Sequence, residues 1–281
     1  MKVTGVELSS ENANIINFGM SDVSSSDKYL VKSIFGLDAD EVIRKFYSFA
    51  SNSNSKFYNF SLKKREIVFR IVLNPNYSIN EDFSEIRDEI YRSISSSRTG
   101  LINILFRSGG AAVAQISGYF TKFEVPYFSK VPEVQITINC DDFMLRGYNP
   151  VQIDADILGT TNHIYVSDSI STAPHGMTFS IEYTAASSYF KITDDLSNES
   201  WDFVVTPQGG FLTGDVLTIS SEYNSRNVSI LRGSTTIPLM DKISTDSTWP
   251  LVFPGSNEFE FYDHTKFDWV YVSYYPAYWG L

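Results

Sequence analysis

Few side chains in this sequence have the type and the spacing that catalysis requires. The three histidines are His163, His175 and His264, and none lies in the Gly-x-Ser-x-Gly context of a serine nucleophile. The single cysteine, Cys140, falls on the apolar side of an alternating run, where we expect a buried thiol. We interpret all four as surface or core residues. One cysteine also excludes an intramolecular disulfide and a cysteine-cluster zinc site.

Neighbouring carboxylates are frequent, as expected in a chain with 33 acidic residues. A glycosidase needs two carboxyl groups across a cleft, and spacing along a β-rich chain does not reveal such a pair. None of the acidic stretches has the alternating oxygen ligands and central glycine of a calcium loop. We expect no enzymatic activity, metal or cofactor, and keep hydrolysis of a cell-wall polymer as an alternative. The pairs are Asp38 with Asp40 and Glu41, Asp141 with Asp142, Asp154 with Asp156, and Asp194 with Asp195.

The C-terminal end is unusually aromatic, with nine Phe, Tyr or Trp residues among the last 21. Aromatic rings on the face of a β-sheet can stack on sugar rings, so a carbohydrate-binding module is a second alternative. Because polar and apolar positions alternate through this stretch, at least one set of rings must face a core. The candidates for glycan or partner contact are Trp269, Tyr275, Tyr278 and Trp279.

The overall charge limits the possible partners. The 281 residues include 22 Lys and Arg against 33 Asp and Glu, a formal net charge of −11. General nucleic-acid binding and binding to anionic membranes both need a basic surface, so we expect neither. The sequence shows no run of 18 apolar residues and begins without a secretion signal, which predicts no membrane insertion. The aromatic content, 15%, favours a packed core over disorder.

The charge is divided unevenly between the two halves of the chain. Residues 1–147 hold 17 basic and 17 acidic residues, whereas residues 148–281 hold 5 basic and 16 acidic ones. This break in composition coincides with the turn-rich stretch RGYNP at 146–150. We therefore predict an N-terminal domain over 1–147 and an acidic C-terminal domain over 148–281.

The first half combines strands with one amphipathic helix. Apolar residues spaced at helical intervals, with acidic residues in the first turn, predict a helix over about 81–95. Alternating or β-branched runs predict strands at 67–73, 101–106, 112–120 and 134–140, with a hairpin turn at Gly109-Gly110. The segment 37–46 could form a helical turn or an ordered excursion. Residues of about 30–60 are interpreted as a protruding arm.

The second half shows almost no helical periodicity and many short β-runs separated by glycine-containing turns. This pattern is typical of an antiparallel β-sandwich. The predicted fold class is therefore mainly β, with one helix in an N-terminal β-sandwich or split-barrel domain, followed by a C-terminal antiparallel β-sandwich.

Several short segments occur in an order that resembles a known family. They are FGLD (35–38), EVI (41–43), KKREI (63–67), LNP (73–75), IY (90–91), GYF (118–120), FSK (128–130), PEVQI (132–136), CD (140–141), Leu212, GDVLTI (214–219), RNV (226–228), WPL (249–251) and PGSN (254–257). Together they resemble the distal tail proteins of siphophages, the long-tailed, non-contractile bacteriophages. Each segment by itself is typical of ordinary strands and turns. The resemblance depends on the order of the segments over most of the chain. Pro254, Gly255 and Asn257 also suit a tight turn that the asparagine caps.

The resemblance implies a structural protein of the virion rather than an enzyme. Such proteins form a homo-hexameric ring at the tail tip, a baseplate component, in which the N-terminal domain surrounds a channel and a galectin-like β-sandwich projects outward. The implied partners are the tail tube protein and the tail-tip hub protein, with tape-measure and receptor-binding or side-fibre proteins as further candidates. DNA would be a passing cargo. Assembly in the host cytoplasm is expected, and host attachment through glycans remains the alternative role of the C-terminal aromatics.

Overall fold

A computed structural model describes residues 2–10, 16–20, 27–38, 42–48, 55–62, 64–75, 82–95, 100–125, 132–156, 162–194, 201–223 and 225–281. Only the backbone is described for 42–48, 55–62, 94–95, 155–156, 201 and 268–269. These ranges are sufficient to define every sheet and core discussed below.

The chain forms two compact units. The first comprises Met1–Tyr148 together with Tyr278–Leu281, and the second comprises Asn149–Ala277. The first unit is therefore built from two parts of the sequence that are far apart, because the end of the chain returns to it. The ring-forming role expected for the N-terminal part stays a prediction.

The first unit consists mainly of β-strands, with one α-helix among its described residues. In chain order its elements are β1 (Gly5–Ser10), β2 (Ile16–Met20), β3 (Tyr29–Phe35), β4 (Val42–Ser48), β5 (Ser55–Leu62), β6 (Glu66–Leu73), α1 (Phe83–Ser95), β7 (Leu101–Ser108), β8 (Ala111–Glu124), β9 (Glu133–Cys140) and β10 (Leu145–Gly147). The strands predicted at 67–73, 101–106, 112–120 and 134–140 are confirmed, each with slightly wider bounds.

Seven of these strands close into a barrel-like sheet. Their order is β8, β7, β1, β2, β3, β6 and β9, and a further pairing of β8 with β9 closes the ring. The β2–β3 pair is parallel, and the other neighbours in the ring are antiparallel. Closure leaves no open edge within the ring of seven, which removes a template for unwanted strand pairing. Strand β10 pairs with β8 outside this ring.

Strict alternation of apolar residues fills the barrel. In β6 every second residue from Ile67 to Leu73 is buried, and in β9 Val134, Ile136 and Ile138 are buried. Successive side chains of a strand point to opposite faces, so this spacing directs one row into the core. The turn between β7 and β8 uses Gly109 and Gly110, whose φ angles of 57° and 86° suit the primed turns of tight hairpins.

The predicted helix is confirmed and begins at Phe83. Asp82 starts it: the Asp82 carbonyl accepts from the Ile86 N–H at 3.3 Å, and Glu85 Oε2 accepts from the Asp82 N–H at 3.5 Å. The second of these bonds is one half of a capping box, in which a side chain in the first helical turn accepts from the N–H of the residue that starts the helix. Ile86 and Ile90 are fully buried and join the barrel core. The predicted contribution of Ile94 lies outside the described side chains.

The second unit is made of short strands. They are β11 (Val151–Asp156), β12 (His163–Asp168), β13 (Thr178–Tyr183), β14 (Phe190–Asp194), β15 (Trp201–Val205), β16 (Val216–Ser220), β17 (Asn227–Arg232), β18 (Thr235–Pro238), β19 (Gly255–Phe261) and β20 (Phe267–Tyr274), after which the two-residue β21 (Ala277–Tyr278) leads back to the first unit. One antiparallel sheet has the order β11, β20, β13, β16, β17, β18, and the other has the order β12, β19, β14, β15.

The two sheets of the second unit share one aromatic core. Phe179 of β13 lies edge-to-face against Phe259 and Phe261 of β19, with ring centroids 5.9 Å apart in both pairs. Edge-to-face packing is the favourable geometry for such rings. The predicted fold class, mainly β with one helix in the N-terminal part and a C-terminal antiparallel sandwich, is confirmed. No helix among the described residues has the length and apolar character needed to cross a membrane.

Candidate functional site

The C-terminal aromatics predicted as contact residues are placed in different surroundings. Tyr278 is 6% exposed and belongs to the core of the first unit. Trp279 is half-buried and stacks on Phe143, with ring centroids 6.2 Å apart. Tyr275 is half-buried, and for Trp269 only the backbone pairing with Asp156 is described. A glycan or partner role for these four residues stays a prediction.

A buried arginine holds the returning C-terminus in the first unit. The Arg65 side chain is 1% exposed and donates to three main-chain carbonyls: Gly36 O at 2.9 Å, Phe143 O at 3.1 Å and Trp279 O at 2.6 Å. Charge-assisted bonds of this kind are stronger than bonds between neutral groups. We call Arg65 and these three carbonyls the C-terminal anchor.

The local backbone explains why Arg65 can reach all three carbonyls. Arg65 lies directly before β6 and in phase with the buried residues Ile67 and Phe69, so its side chain is directed inward. Gly36 has a φ of +85°, and a Cβ atom there would lie 1.9 Å from Glu66 O, so only glycine fits. The signal in the sequence is a basic residue in phase with the inward positions of a strand.

Strands β4 and β5 form a separate antiparallel hairpin. They pair from Val42 with Leu62 to Ser48 with Ser55, with a register shift after Lys45. The hairpin is a two-stranded sheet of its own and adds no strand to the barrel sheet within the described residues. The segment that could have been a helical turn is therefore extended from Val42 onward. The predicted start of the arm at about residue 30 is wrong, because residues up to Phe35 belong to β3 of the barrel sheet and Val31 is fully buried. A role of the β4–β5 hairpin as an arm stays a prediction.

An aromatic pair on the outside of the first unit combines the exposed Tyr91 with the half-buried Phe123. Tyr91 of α1 is 54% exposed, and its ring lies edge-to-face on Phe123 of β8, with centroids 5.4 Å apart. The pair lines an open groove of about 720 Å³. Tyrosine is enriched at protein interfaces because its ring buries a large area with little loss of entropy. The lining residues are Arg87, Asp88, Tyr91, Phe123, Glu124 and Val125.

The second unit contains a partly buried ion pair between Asp215, which lies directly before β16, and Arg232 of β17. Asp215 is 1% exposed, and Arg232 donates to both of its carboxylate oxygens, from Nε at 2.9 Å and from Nη2 at 2.6 Å. The Leu212 N–H also donates to Asp215 at 2.8 Å, and Arg232 Nη2 reaches Gly210 O at 2.9 Å. The hydrogen bonds from Arg232 hold the pKa of Asp215 below its usual range. This pair fixes the turns on both sides of Phe211.

His175 and Cys140 are both buried, His175 in the second unit and Cys140 in the first. Cys140 is buried in the barrel core. The Nε2 atom of His175 lies 2.8 Å from Asp168 Oδ2, and its Nδ1 lies 3.1 Å from the carbonyl of the next residue. Although burial raises the pKa of Asp168, hydrogen bonds from Ser171, His175 and Ile170 lower it overall. His175 and Asp168 are buried together in the second unit and contribute to its packing.

The acidic pairs are only partly covered by the described residues. Among the described residues, no three His, Cys, Asp or Glu side chains are placed to hold an ion together. Of the pairs named above, Asp40, Glu41 and Asp195 lie outside the described residues.

The predicted capping role of Asn257 is confirmed. The Asn257 amide is 4% exposed; its Oδ1 accepts from the Phe253 N–H at 2.7 Å, and its Nδ2 donates to Phe253 O at 2.8 Å and to Val166 O at 3.2 Å. The side chain thus closes the turn before β19 and ties it to β12. This geometry requires one acceptor and one donor on the same side chain.

Asn257→Asp is expected to lower the free energy of unfolding by about 2–3 kcal/mol, because a carboxylate oxygen would face the carbonyls of Phe253 and Val166 in place of a donor. Urea denaturation measures the change. The same substitution at the exposed Asn227 is the matched control and should have little effect. Equal effects at both positions would show that the buried amide contributes nothing specific.

Comparison with known proteins gives one family match. Residues 170–278 match the family described as siphovirus-type tail component, C-terminal domain. The match covers the core of the second unit and includes the segments at 212–228 and 249–257 that carried the later part of the resemblance. No curated protein sequence matches the chain.

Solved structures extend the similarity to both units. The crystal structure of the Dit protein of phage SPP1, described as a hub of the adsorption apparatus in phages that infect Gram-positive bacteria, aligns with 97% of this chain and 98% of its own, at 14% identity and a TM-score of 0.64. Chains of the phage P2 baseplate in its activated conformation align more weakly. With Ca the TM-score is 0.45 at 9% identity, covering 97% of each chain; with Sr it is 0.44 at 10% identity, covering 96% of this chain and 97% of the other.

The predicted resemblance to siphophage distal tail proteins is confirmed by these findings. Residues 170–278 match a siphovirus-type tail component in sequence, and the fold of the chain is similar to that of the SPP1 Dit protein. These similarities support a siphophage tail component.

Proposed function

We propose that this siphophage tail component forms a hexameric ring at the tail tip, joins the tail tube protein to the tail-tip hub protein, and leaves a channel through which DNA passes. The supporting observation is the combination of a family match over 170–278 with one fold shared across 97% of the chain. In this proposal the protein is not an enzyme, and it is assembled in the host cytoplasm.

The features of the first unit suit a subunit that packs against copies of itself. Residues 1–147 carry equal numbers of basic and acidic residues, 17 of each, so like copies do not repel strongly. The β4–β5 hairpin can lie on a neighbouring subunit, and the Tyr91–Phe123 pair offers an exposed aromatic contact. A head-to-tail interface that closes after six copies gives a ring.

The second unit suits a position on the outside of the ring. It carries 16 acidic against 5 basic residues in the sequence from 148 onward, which keeps neighbouring copies apart and favours solubility. Receptor-binding or side-fibre proteins are the partners we assign to this side, and the tape-measure protein is a candidate partner on the channel side. In this proposal DNA is a passing cargo, and the formal net charge of −11 disfavours a general phosphate-binding role for the chain.

Native mass measurement of the purified chain, alone and with its tube protein, tests the ring directly. We expect six copies in the assembled species. A chain that stays monomeric under every condition, including with the tube protein, would contradict the proposed ring.

Tyr91→Asp is expected to prevent ring formation while leaving the subunit folded, because the ring of Tyr91 is 54% exposed and the new carboxylate would be desolvated at an interface. Tyr148→Asp, at another exposed tyrosine of the same unit, is the matched control and should still assemble. If both variants assemble normally, the Tyr91–Phe123 groove is not part of the interface between subunits. The proposed ring would still stand.

A further inference from the structure

The outward face of the four-stranded sheet carries a compact group of aromatic and polar side chains. On β12, Ile164 and Val166 are buried, so His163 and Tyr165 point to the opposite side. On β19, their register partners are Glu260 and Glu258, respectively. We call His163, Tyr165, Glu258, Glu260 and the adjacent Thr193 of β14 the β12–β19 face.

The ring of Tyr165 is exposed but held in a fixed orientation. It is 66% exposed, the largest fraction among the large hydrophobic residues of the described chain, and its hydroxyl donates to Glu258 Oε1 at 2.7 Å. The His163 ring lies nearly parallel to it, 20° between planes with centroids 6.5 Å apart, and His163 Nδ1 is 3.0 Å from the same Glu258 oxygen. An exposed ring that is already oriented loses little entropy when a ligand stacks on it.

Polar groups surround the ring on the side of β14. Glu260 accepts a hydrogen bond from Asn162 Nδ2 at 2.7 Å. Thr193 lies opposite Glu260 in the β14–β19 register and is only 8% exposed. Its Oγ1 has no hydrogen-bond partner among the described residues. A buried hydroxyl without a partner is uncommon, and a ligand that reaches it would gain a bond that the free protein lacks.

We propose that the β12–β19 face binds a neutral hexopyranose unit of a surface polysaccharide. The apolar C–H face of the sugar would stack on Tyr165, while its hydroxyl groups donate to Glu258 and Glu260 and bond to Thr193. The two carboxylates favour ligands rich in hydroxyl donors and disfavour phosphate-bearing or uronic-acid polymers.

The composition of the face favours a small polar ligand over a protein partner. Cores of protein interfaces are depleted in charged residues and enriched in apolar area. Here one exposed aromatic ring stands among two carboxylates, an amide and a hydroxyl, which are the groups that fix the orientation of a sugar. The proposal is independent of ring formation, because all of these residues belong to the second unit.

Binding of the full chain to an array of neutral hexose and N-acetylhexosamine oligosaccharides tests the proposal, followed by calorimetric titration of the strongest probe. We expect binding by the wild-type chain, and a loss of about tenfold in affinity for Tyr165→Ala and for Glu258→Gln. Tyr223→Ala is the matched control, since Tyr223 is 57% exposed and lies in the same unit outside this face. The affinity of the Tyr223→Ala variant for the oligosaccharide should equal that of the wild-type chain.

The proposal would be overturned by the absence of binding to any neutral oligosaccharide, or by binding that persists at full strength in both Tyr165→Ala and Glu258→Gln. Binding lost in Tyr275→Ala but retained in Tyr165→Ala would place a glycan site at the C-terminal aromatics instead. Circular dichroism and the native mass of each variant show whether fold and assembly are intact, so a failure here is distinguishable from a failure of the proposed ring.

Discussion

Replacing Arg65 by methionine is expected to lower the free energy of unfolding of the first unit by about 3–5 kcal/mol. The substitution keeps much of the side-chain volume but removes the donors to the carbonyls of Gly36, Phe143 and Trp279. Those carbonyls would lose their charged donor in a place that water does not readily reach, since Arg65 is 1% exposed. Hydrogen exchange of the barrel amides, combined with urea denaturation, measures the loss for this unit separately.

Lys64→Met is the matched control for this prediction. Lys64 is the neighbouring residue, is exposed, and faces Asp141 at 3.8 Å, so its loss should change stability by no more than about 0.5 kcal/mol. Arg65→Met should have a smaller effect in a chain that lacks residues 279–281. In that shortened chain the Trp279 carbonyl is absent both with and without the substitution. A value for Arg65→Met within the range of the control would show that the anchor does not stabilise the unit.

Asp215→Asn is expected to destabilise the second unit by about 2–4 kcal/mol at neutral pH. The substitution leaves Arg232 without the carboxylate that accepts its two strongest hydrogen bonds, and breaking one side of a buried pair is costly. We place the effect below the upper range for fully buried pairs because the Arg232 side chain is 32% exposed. Urea denaturation of the two chains at the same pH gives the difference.

The pH dependence of stability follows from the same pair. The pKa of Asp215 is lowered in the folded state by the hydrogen bonds from Arg232, so the folded protein binds this proton less readily than the unfolded chain. The stabilisation is fully present above the unfolded pKa of about 4 and is lost as the pH falls through the folded pKa. Asp215→Asn should therefore remove part of the acid sensitivity of the second unit.

Asp241→Asn is the control for the dependence of stability on pH at acid pH. The pKa of Asp241 is also lowered, by a hydrogen bond from Lys242, but both side chains are exposed and solvent screens the pair. Its substitution should leave the stability profile nearly unchanged. An identical acid dependence for Asp215→Asn and the wild type would contradict the assigned role of the ion pair.

The sequence predicts the strands and the helix well where one row of residues is buried. Val134, Ile136 and Ile138 alternate with polar residues, and they line the barrel as the alternation requires. Ile86 and Ile90 are one helical turn apart, and both face the core. In these elements the spacing of apolar residues alone decides which side is buried, so no distant partner is needed for the prediction.

The sequence was less informative where partners are distant. Arg65 and Trp279 are separated by 214 positions, and the spacing of residues does not indicate that they meet. Tyr165 and Glu258 are separated by 93 positions and are brought together by strand pairing. The aromatic C-terminus drew attention as a surface for ligands, yet Tyr278 contributes to a core instead.

The sequence by itself determined the β-rich class, the helix, the split of charge and the resemblance to siphophage tail proteins. These properties depend on composition, on local periodicity and on the order of short segments, all of which are present in the unfolded chain. Only the tertiary structure decided that the barrel closes, that the C-terminus returns to Arg65, and that Tyr165 is fixed by Glu258 on an open face. Such contacts depend on strand order and register, which are set by the packing of the whole chain and not by neighbours in sequence.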